Sequence, residues 1–589
     1  MDLQHKLEQF YHKAGEKLRL SEHAMLILVA FIVGSVTGTV AVFFRWLVIS
    51  AQELFFDKGI EVLGGLVGGL SNIAIPIIPA VGGLLVGAII YYYANEARGH
   101  GVPEVMAAVA LKGGVIRFRM ALAKAVSSAI CIGSGGSAGR EGPIVAIGSA
   151  LGSNIGRIFR MSGQRVRILV GCGAAAGISA VFNAPIAGVL FALEIIIGDF
   201  AITTFSPVIL SSVIATVISR YFVGDYPAFK VPEYNLVSAW EIPMYIALGV
   251  FCGVVAVLFI NMLYKTEDVF NDKIKLHPIV KPALGGLLLG FIGLFFPQIF
   301  SDGYHVIQEA LYGQLAWGLL LALVFLKILA TSLTLGSGSS GGIFAPSLFM
   351  GAMAGGFFGT IIHMVFPEIT APEGAYALVG MGAMVAGTTH APISAILILF
   401  EMTNDYRIIL PLMVACVFST LVAHRLKKES IYTLKLVRRG INIRHGKDVS
   451  LLDTIKVEEV MSTDFKSVPP HMTLRQLIHF MEDNRDDSYP VVDRYGNLQG
   501  VVAIQDLRTL IDKEGVRDLV IVADIIGSNP VTITPDQNLN QAFRSFGMRD
   551  LFILPVVDPQ RSERIIGVLY RRDVLLTYNR RLLQQESPD

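Results

Sequence analysis

Long apolar runs recur between Ala24 and Ser419, and they restrict the possible folds of this chain more than any other feature. Apolar side chains make up 53% of the 589 residues, too many to be buried in a soluble core, so much of the chain must face lipid. Beyond Arg425 the runs give way to a basic stretch and then to mixed polar and apolar residues. The sequence therefore predicts an α-helical polytopic membrane domain followed by a soluble α/β domain.

Charge and cysteine usage exclude several other classes. The formal net charge of +1 argues against a nucleic-acid partner, which requires a concentrated basic surface. The cysteines lie in apolar stretches without paired spacing, which predicts neither a disulfide framework nor a metal site. They are Cys131, Cys172, Cys252 and Cys416.

The two ends of the chain are predicted to lie on one side of the membrane. Residues 1–22 carry charges of both signs and lack the pattern of a signal peptide, which favours a cytoplasmic amphipathic helix. Arginine-rich loops at 117–119 and 157–167 and a basic linker at 437–455 indicate cytoplasmic segments by the positive-inside rule. We expect an integral protein of the inner or plasma membrane with both termini in the cytoplasm.

The apolar part is internally duplicated. The segment PAVGGLLVG from Pro79 to Gly87 is matched, with two differences, by PALGGLLLG from Pro282 to Gly290, and the same register pairs Lys124 with Lys327. We interpret residues 23–225 and 238–426 as two repeats. Repetition alone leaves parallel and inverted halves open, but an odd number of crossings in each half would make them inverted and place both termini on one side. Broken helices would then meet at a substrate site near the midplane.

A run of small residues from Cys131 to Gly156 is the strongest candidate for that site. Its glycines between 133 and 139 allow close backbone approach, and Pro143 stands where a helix could begin. A helix N-terminus offers unpaired N–H donors and a partial positive charge, so the expected ligand is an anion. Arg140 and Glu141 are the only charged residues of its first half.

Three glycine loops together resemble the signature loops of the CLC chloride channels and transporters. They lie at residues 99–104, 139–143 and 342–346, and the likeness extends over about residues 24–436 through FNAPIAGVLFALE, EMTNDY and Tyr432. The resemblance implies that residues 23–436 form a transport domain for chloride or other anions. It further implies a homodimer with one anion pathway per subunit, each subunit built from two inverted halves.

The same resemblance assigns roles to individual residues. Glu141 would be the gating carboxylate, and its presence at membrane depth, at a cost of about 2.5–3.5 kcal/mol, requires a function or a partner. The alternatives are a fixed ion pair of Glu141 with Arg140 and, for Tyr432, an interfacial aromatic anchor. The anion-binding set implied by the family pattern is His100, Gly101, Gly142, Ile343, Phe344 and Tyr432.

Two positions depart from the family pattern. His100 stands where chloride-selective members usually have serine; its imidazole would either donate to the anion or swing away and leave binding to backbone amides. Ile195 follows Glu194 where many exchangers have the proton glutamate, which favours an uncoupled or weakly coupled channel. The alternative is a chloride/proton exchanger in which water or Glu194 carries the proton. We expect Glu194 and its repeat partner Glu401 to have a structural role, capping or bridging helices.

The soluble tail contains a second repeat that resembles a tandem CBS pair, with domains at 456–515 and 516–589. The segments from Tyr489 and from Leu554 each predict a strand, a turn, a strand and an acidic residue opening a helix. Asp506 and Asp573 match the family's ribose-contacting aspartate. Adenine nucleotide is thus a candidate ligand, although no cofactor is required, and the alternative is a scaffold for dimerisation and gating.

Two unrelated classes remain as remote alternatives. An intramembrane serine hydrolase would use Ser134 or Ser137 with His100 or His390 as base. A cation transporter regulated by CBS domains would need several inward carboxylates. The sequence favours the anion-transport reading because its candidate carboxylates lie among loops suited to anions.

Overall fold

The computed structural model describes residues 22–58, 71–234, 236–441, 443–444, 447–448, 452, 455–484, 486, 488–507, 517–526, 530–549 and 551–586. Contacts divide the chain into two compact units, 1–446 and 447–589. The amphipathic helix predicted for residues 1–22 lies outside the described residues except for Glu22, and the basic linker is described only in part.

The first unit is helical. Its α-helices are α1 (Glu22–Gln52), α2 (Ser71–Tyr93), α3 (Val102–Leu111), α4 (Phe118–Gly133), α5 (Glu141–Ile158), α6 (Gly163–Phe182), α7 (Pro185–Phe191), α8 (Ile202–Val223), α9 (Glu241–Asp268), α10 (Lys281–Phe295), α11 (Tyr304–Leu311), α12 (Trp317–Gly336), α13 (Phe344–Val365), α14 (Glu373–Thr389), α15 (Pro392–Thr403), α16 (Ile409–Leu426) and α17 (Thr433–Arg438). Among the described residues, eight helices are long and apolar enough to cross a membrane. The prediction of a polytopic helical domain is confirmed.

Several apolar helices are too short to cross alone, as the sequence predicted. Helices α3, α10 and α15 have 10, 15 and 12 residues, whereas about 20 are needed to span a bilayer. A π-helical segment, Ala192–Ile197, continues α7. Helix α5 begins at Glu141, two residues before the proline at which the sequence suggested its start.

Equivalent segments of the two repeats pack against each other reciprocally. A Cβ on Gly83 of α2 would lie 2.3 Å from the carbonyl oxygen of Pro282, and one on Gly286 of α10 would lie 2.1 Å from that of Pro79. Such exchange of partners is what a two-fold axis between two halves produces. Glycine is required at both positions because the helix backbones touch.

The second unit contains the predicted pair of α/β modules. The two-residue strand β1 (Ile443–Arg444) belongs to the first unit, and the second unit begins with the two-residue strand β2 (Lys447–Asp448). The other elements of the second unit are α18 (Leu474–Asp483), β3 (Ser488–Val492), β4 (Leu498–Ala503), α19 (Ile504–Leu507), α20 (Leu539–Arg549), β5 (Ile553–Asp558), β6 (Arg561–Tyr570) and α21 (Arg571–Glu586). Strands β3 and β4 pair antiparallel, as do β5 and β6. Each hairpin packs on its own buried apolar cluster.

Candidate anion site

Backbone hydrogen bonds join the three glycine loops at one point of the first unit. The Gly139 N–H donates to the Gly342 carbonyl at 2.8 Å, and the Gly342 N–H donates to the Gly139 carbonyl at 2.6 Å. The Gly99 N–H donates to the Ser339 carbonyl at 3.1 Å. Loops that are far apart in the chain, and that come from both repeats, therefore meet in a single site.

The Glu141 carboxylate occupies the N-terminus of α13. One carboxylate oxygen accepts a hydrogen bond from the Tyr304 hydroxyl at 2.7 Å, and the other accepts from the Ala345 N–H at 3.4 Å. The residue is 1% exposed. A helix N-terminus stabilises negative charge, so the carboxylate lies where an anion would bind.

Arg140 is not the partner of Glu141. Its guanidinium forms an ion pair with Asp302 and lies over the Tyr304 ring, 5.4 Å from the centroid. The fixed ion pair between the two neighbours, considered above as an alternative, is therefore absent from the arrangement of these described residues. The Glu141 carboxylate is held by neutral donors instead.

The side chains of His100 and Tyr432 lie next to each other and are buried. Their ring centroids are 6.1 Å apart, and the side chains are 3% and 2% exposed. Nδ1 of His100 has no hydrogen-bond partner among the described residues. The segment that carries Tyr432 is held by its neighbour Ile431, whose N–H donates to the Thr388 carbonyl at 2.9 Å and whose carbonyl accepts from Tyr264 at 2.6 Å.

Close backbone contacts explain why glycine occupies positions 101 and 142, which are predicted to bind the anion. A Cβ on Gly142 would lie 2.3 Å from the His100 carbonyl oxygen, and Gly101 has a φ of 86°, which disfavours other residues. Ile343 and Phe344 are the N-cap and first residue of α13. The structure thus places the predicted anion-binding residues and Glu141 around the same contact between loops.

Glu194 and Glu401 cap helices of the opposite repeat. Glu194 accepts from the Ser394 N–H at 2.8 Å, from the Ser394 hydroxyl at 2.6 Å and from the Ile393 N–H at 3.4 Å, all at the start of α15. Glu401 accepts from the Ala187 N–H at 2.7 Å and from the Ile186 N–H at 3.1 Å, at the start of α7. These contacts satisfy unpaired helix donors, which supports the structural roles expected for both. Ile195 is half-buried beside Glu194.

The two aspartates of the soluble unit differ in their contacts. Asp506 accepts from the Ala503 N–H at 2.9 Å, so its carboxylate caps the short helix α19. Asp573 lies 3.5 Å from the Arg572 guanidinium at the start of α21. Nucleotide binding at these positions stays a prediction.

Tyr304 and Asp302 were not predicted from the sequence. A signal was available in the repeat register, which pairs Lys124 with Lys327. In the structure the two lysines make equivalent contacts: Lys124 donates to the Ala97 carbonyl at 3.0 Å, and Lys327 donates to the Ile299 carbonyl at 2.9 Å. Extending that match would have aligned the loop before α11 with the first signature loop, the loop before α3.

The serines proposed as nucleophiles have structural partners. The Ser134 hydroxyl donates to the Cys131 carbonyl at 3.2 Å, and the Ser137 hydroxyl shares a hydrogen bond with Thr331 at 3.0 Å. These contacts fasten the glycine loop to neighbouring helices and do not form a nucleophile–base pair.

Family models match both parts of the chain. The model described as voltage gated chloride channel matches residues 82–424, and the CBS domain model matches residues 457–513 and 522–579. The resemblances inferred from the sequence are confirmed.

Curated relatives and solved structures agree with these matches. The chain is 37% identical over 366 residues to a putative chloride channel protein ClcB-like from Ralstonia nicotianae, covering 62% of this chain and 85% of the relative. It is 33% identical over 422 residues to the H+/Cl− exchange transporter ClcA of Salmonella arizonae, covering 70% of this chain and 88% of the relative.

Among solved structures, a slow cyanobacterial Cl−/H+ antiporter matches with a TM-score of 0.65 and 29% identity, over 71% of this chain and 98% of the other. A eukaryotic CLC transporter shares the fold with a TM-score of 0.65 over 94% of this chain and 99% of the other, at 20% identity.

Proposed function

Because this chain belongs to the voltage gated chloride channel family, we propose that it exchanges chloride for protons across the membrane, with the Glu141 carboxylate as the gate. Chloride transport itself follows from membership in the family, whose members are transporters or channels and not enzymes. The coupling of chloride to protons is our proposal, and it replaces the uncoupled or weakly coupled channel that Ile195 suggested.

One observation carries the proposal. Glu141 lies buried at the N-terminus of α13, with its carboxylate within reach of the Ala345 N–H. A carboxylate in that position competes with chloride for the same donors while it is ionised, and it leaves them when it is protonated. The same group can therefore alternate between proton and chloride, which is what coupled exchange requires.

Relatives support exchange over passive conduction. The ClcA relative is named as an H+/Cl− exchange transporter, and the structure with 29% identity is titled as a Cl−/H+ antiporter. Ile195 cannot relay a proton, and Glu194 has its oxygens occupied by donors from α15. We therefore assign the proton route past Ile195 to water.

The assembly and its orientation are also proposals. We place both termini in the cytoplasm on the strength of the basic loops and linker. The family resemblance further suggests a homodimer with one pathway in each subunit, joined through the membrane and CBS domains. Light scattering of the detergent-solubilised protein would test the dimer.

The decisive experiment measures chloride efflux and external pH together, using liposomes that hold the purified protein under a chloride gradient. The wild type is expected to take up protons against their gradient as chloride leaves. Glu141→Gln, which mimics the protonated gate, is expected to keep chloride efflux and lose proton uptake.

Glu368→Gln provides the control, because Glu368 is an exposed carboxylate. It should behave as the wild type. Efflux without proton uptake in the wild type would assign the chain to the passive channels, and unchanged coupling in Glu141→Gln would disprove the gate.

A further inference from the structure

We propose that Tyr304 is the positioning residue that holds the gate closed, by donating its hydroxyl hydrogen bond to the Glu141 carboxylate only while the carboxylate occupies the anion position. This inference rests on the proposed role of Glu141 as the gate. It adds a residue outside the three signature loops and outside the family pattern that identified them.

The Tyr304 hydroxyl makes the shorter of the two hydrogen bonds that other residues donate to the Glu141 carboxylate, to which the N–H of Glu141 itself also contributes. Its oxygen is 2.7 Å from one carboxylate oxygen of Glu141, whereas the Ala345 nitrogen is 3.4 Å from the other. Bonds from N–H donors are usually 2.9–3.0 Å long, so the backbone contact is weak and the hydroxyl contact is strong. Among the donors from other residues, Tyr304 therefore contributes most to the closed position of Glu141.

The tyrosine ring is packed against Phe229 and Arg140, which hold it in place. Phe229 contacts it edge-on with ring centroids 5.3 Å apart, and Arg140 lies over it at 5.4 Å. Tyr304 opens α11 directly after Gly303, whose φ of 76° sets the turn. When Glu141 swings away, the hydroxyl stays behind and the hydrogen bond is lost.

The loop before Tyr304 is itself fastened to the site. Asp302 pairs with Arg140, and the Lys327 ammonium group donates to the carbonyls of Ile299 and Ser301 at 2.9 and 3.0 Å. The Ser301 N–H donates to the Gly135 carbonyl at 3.2 Å. These contacts hold the Tyr304 hydroxyl in place before the hydrogen bond forms. The bond therefore stabilises Glu141 in the anion position without a cost for ordering the loop.

The bond also discriminates between the two protonation states of the gate. An O–H donor stabilises an ionised carboxylate more than a protonated one, so Tyr304 opposes protonation and opening alike. The charged or titratable groups acting on this pair are Arg140 beside it in the chain, Asp302 on the loop before α11, Tyr432 before α17 and Arg45 on α1. None of these is altered in the test below.

The test removes the hydroxyl and keeps the ring. Tyr304→Phe should raise chloride turnover at neutral pH by up to about tenfold, the effect of losing one charge-assisted hydrogen bond. The pH at which transport is half-maximal should move upward, because protonation of the gate is no longer opposed. In a Glu141→Ala background, which has no acceptor, Tyr304→Phe should change neither quantity.

Tyr312→Phe is the matched control, because Tyr312 follows α11 directly and is exposed. Equal effects of Tyr304→Phe in both backgrounds would show a merely structural role and overturn the inference, as would a wild-type pH profile. If Glu141→Gln uncouples transport while Tyr304→Phe resembles the wild type, only this inference fails. If Glu141→Gln itself has no effect, the gate fails first.

Discussion

The two repeats of the membrane domain keep the same packing glycines but begin their central helices with different side chains. Gly148 of α5 packs on Gly173 of α6, and Gly351 of α13 packs in the same way on Gly380 of α14. The first residue of α5 is Glu141, whereas that of α13 is Phe344. Packing thus constrains both halves alike, while the first half places a carboxylate in the site and the second half supplies the Ala345 N–H that donates to it.

A second difference lies at the ends of α6 and α14. Both helices end in a left-handed residue, Asn183 with φ 59° and His390 with φ 57°. Asn183 accepts from Arg220 at 2.6 Å, whereas His390 packs against His424 with ring centroids 5.4 Å apart. The backbone requirement is shared, and the side-chain chemistry has diverged where the two inverted halves would face opposite sides of the membrane.

Substitution of the packing glycines should have the largest effect and should be the same in both halves. A Cβ on Gly148 would lie 2.2 Å from the Gly173 carbonyl oxygen, and one on Gly351 would lie 2.4 Å from that of Gly380. Gly148→Ala and Gly351→Ala should each destabilise the protein by about 1–3 kcal/mol. Thermal unfolding, followed by the loss of the monodisperse peak in size-exclusion chromatography, measures this.

Gly318→Ala is the control, because a Cβ there meets nothing within 4 Å. It should leave the unfolding temperature unchanged or raise it, since alanine favours a helix over glycine. Tolerance of alanine at Gly148 but not at Gly351 would show that the two halves do not share this packing.

Removal of the reciprocal caps should have the next largest effect. Glu194→Ala leaves the donors at the start of α15 unpaired, and Glu401→Ala does the same at α7. We expect a loss of about 1–3 kcal/mol for each, larger for Glu194 because the Ser394 hydroxyl is also left without its acceptor. The thermal unfolding assay compares them, and the liposome assay checks the proton-to-chloride ratio.

That ratio should be unchanged in both variants. A change in Glu194→Ala alone would place this carboxylate on the proton route and contradict the assignment of that route to water. A change in both would indicate that the caps act through the general packing of the site.

The smallest effect is expected in the soluble unit, where equivalent aspartates of the two modules make different contacts. Asp506 caps α19 through the Ala503 N–H, whereas Asp573 contacts the exposed Arg572 side chain. Asp506→Ala should destabilise its module by about 1 kcal/mol and Asp573→Ala by less than about 0.5 kcal/mol. Limited proteolysis of the full chain, with identification of the fragments, would measure the stability of each module separately. Equal protease sensitivity of the two variants would contradict the predicted difference in destabilisation.

Much of the site was accessible from the sequence because its parts are backbone features. Glycines such as Gly101 and Gly142, and the helix starts near Glu141 and Phe344, have local signals in residue type and spacing. The reciprocal caps agree with the expectation that Glu194 and Glu401 cap or bridge helices, although the sequence did not indicate which helices they contact. Tyr304 was missed because its hydrogen bond joins residues 163 positions apart. The repeat register could align its loop with the first signature loop, but it could not pair the hydroxyl with Glu141.

The sequence by itself determined the membrane domain, its duplication, the glycine loops and the paired soluble modules. The length of apolar segments, internal repetition and the backbone freedom of glycine can be read from the chain itself, because they do not depend on tertiary contacts. Only the tertiary structure decided that Arg140 pairs with Asp302, that Glu194 caps α15 and that Tyr304 holds Glu141. Each of these is a contact between side chains and distant elements, and its geometry exists only once the two halves have packed together.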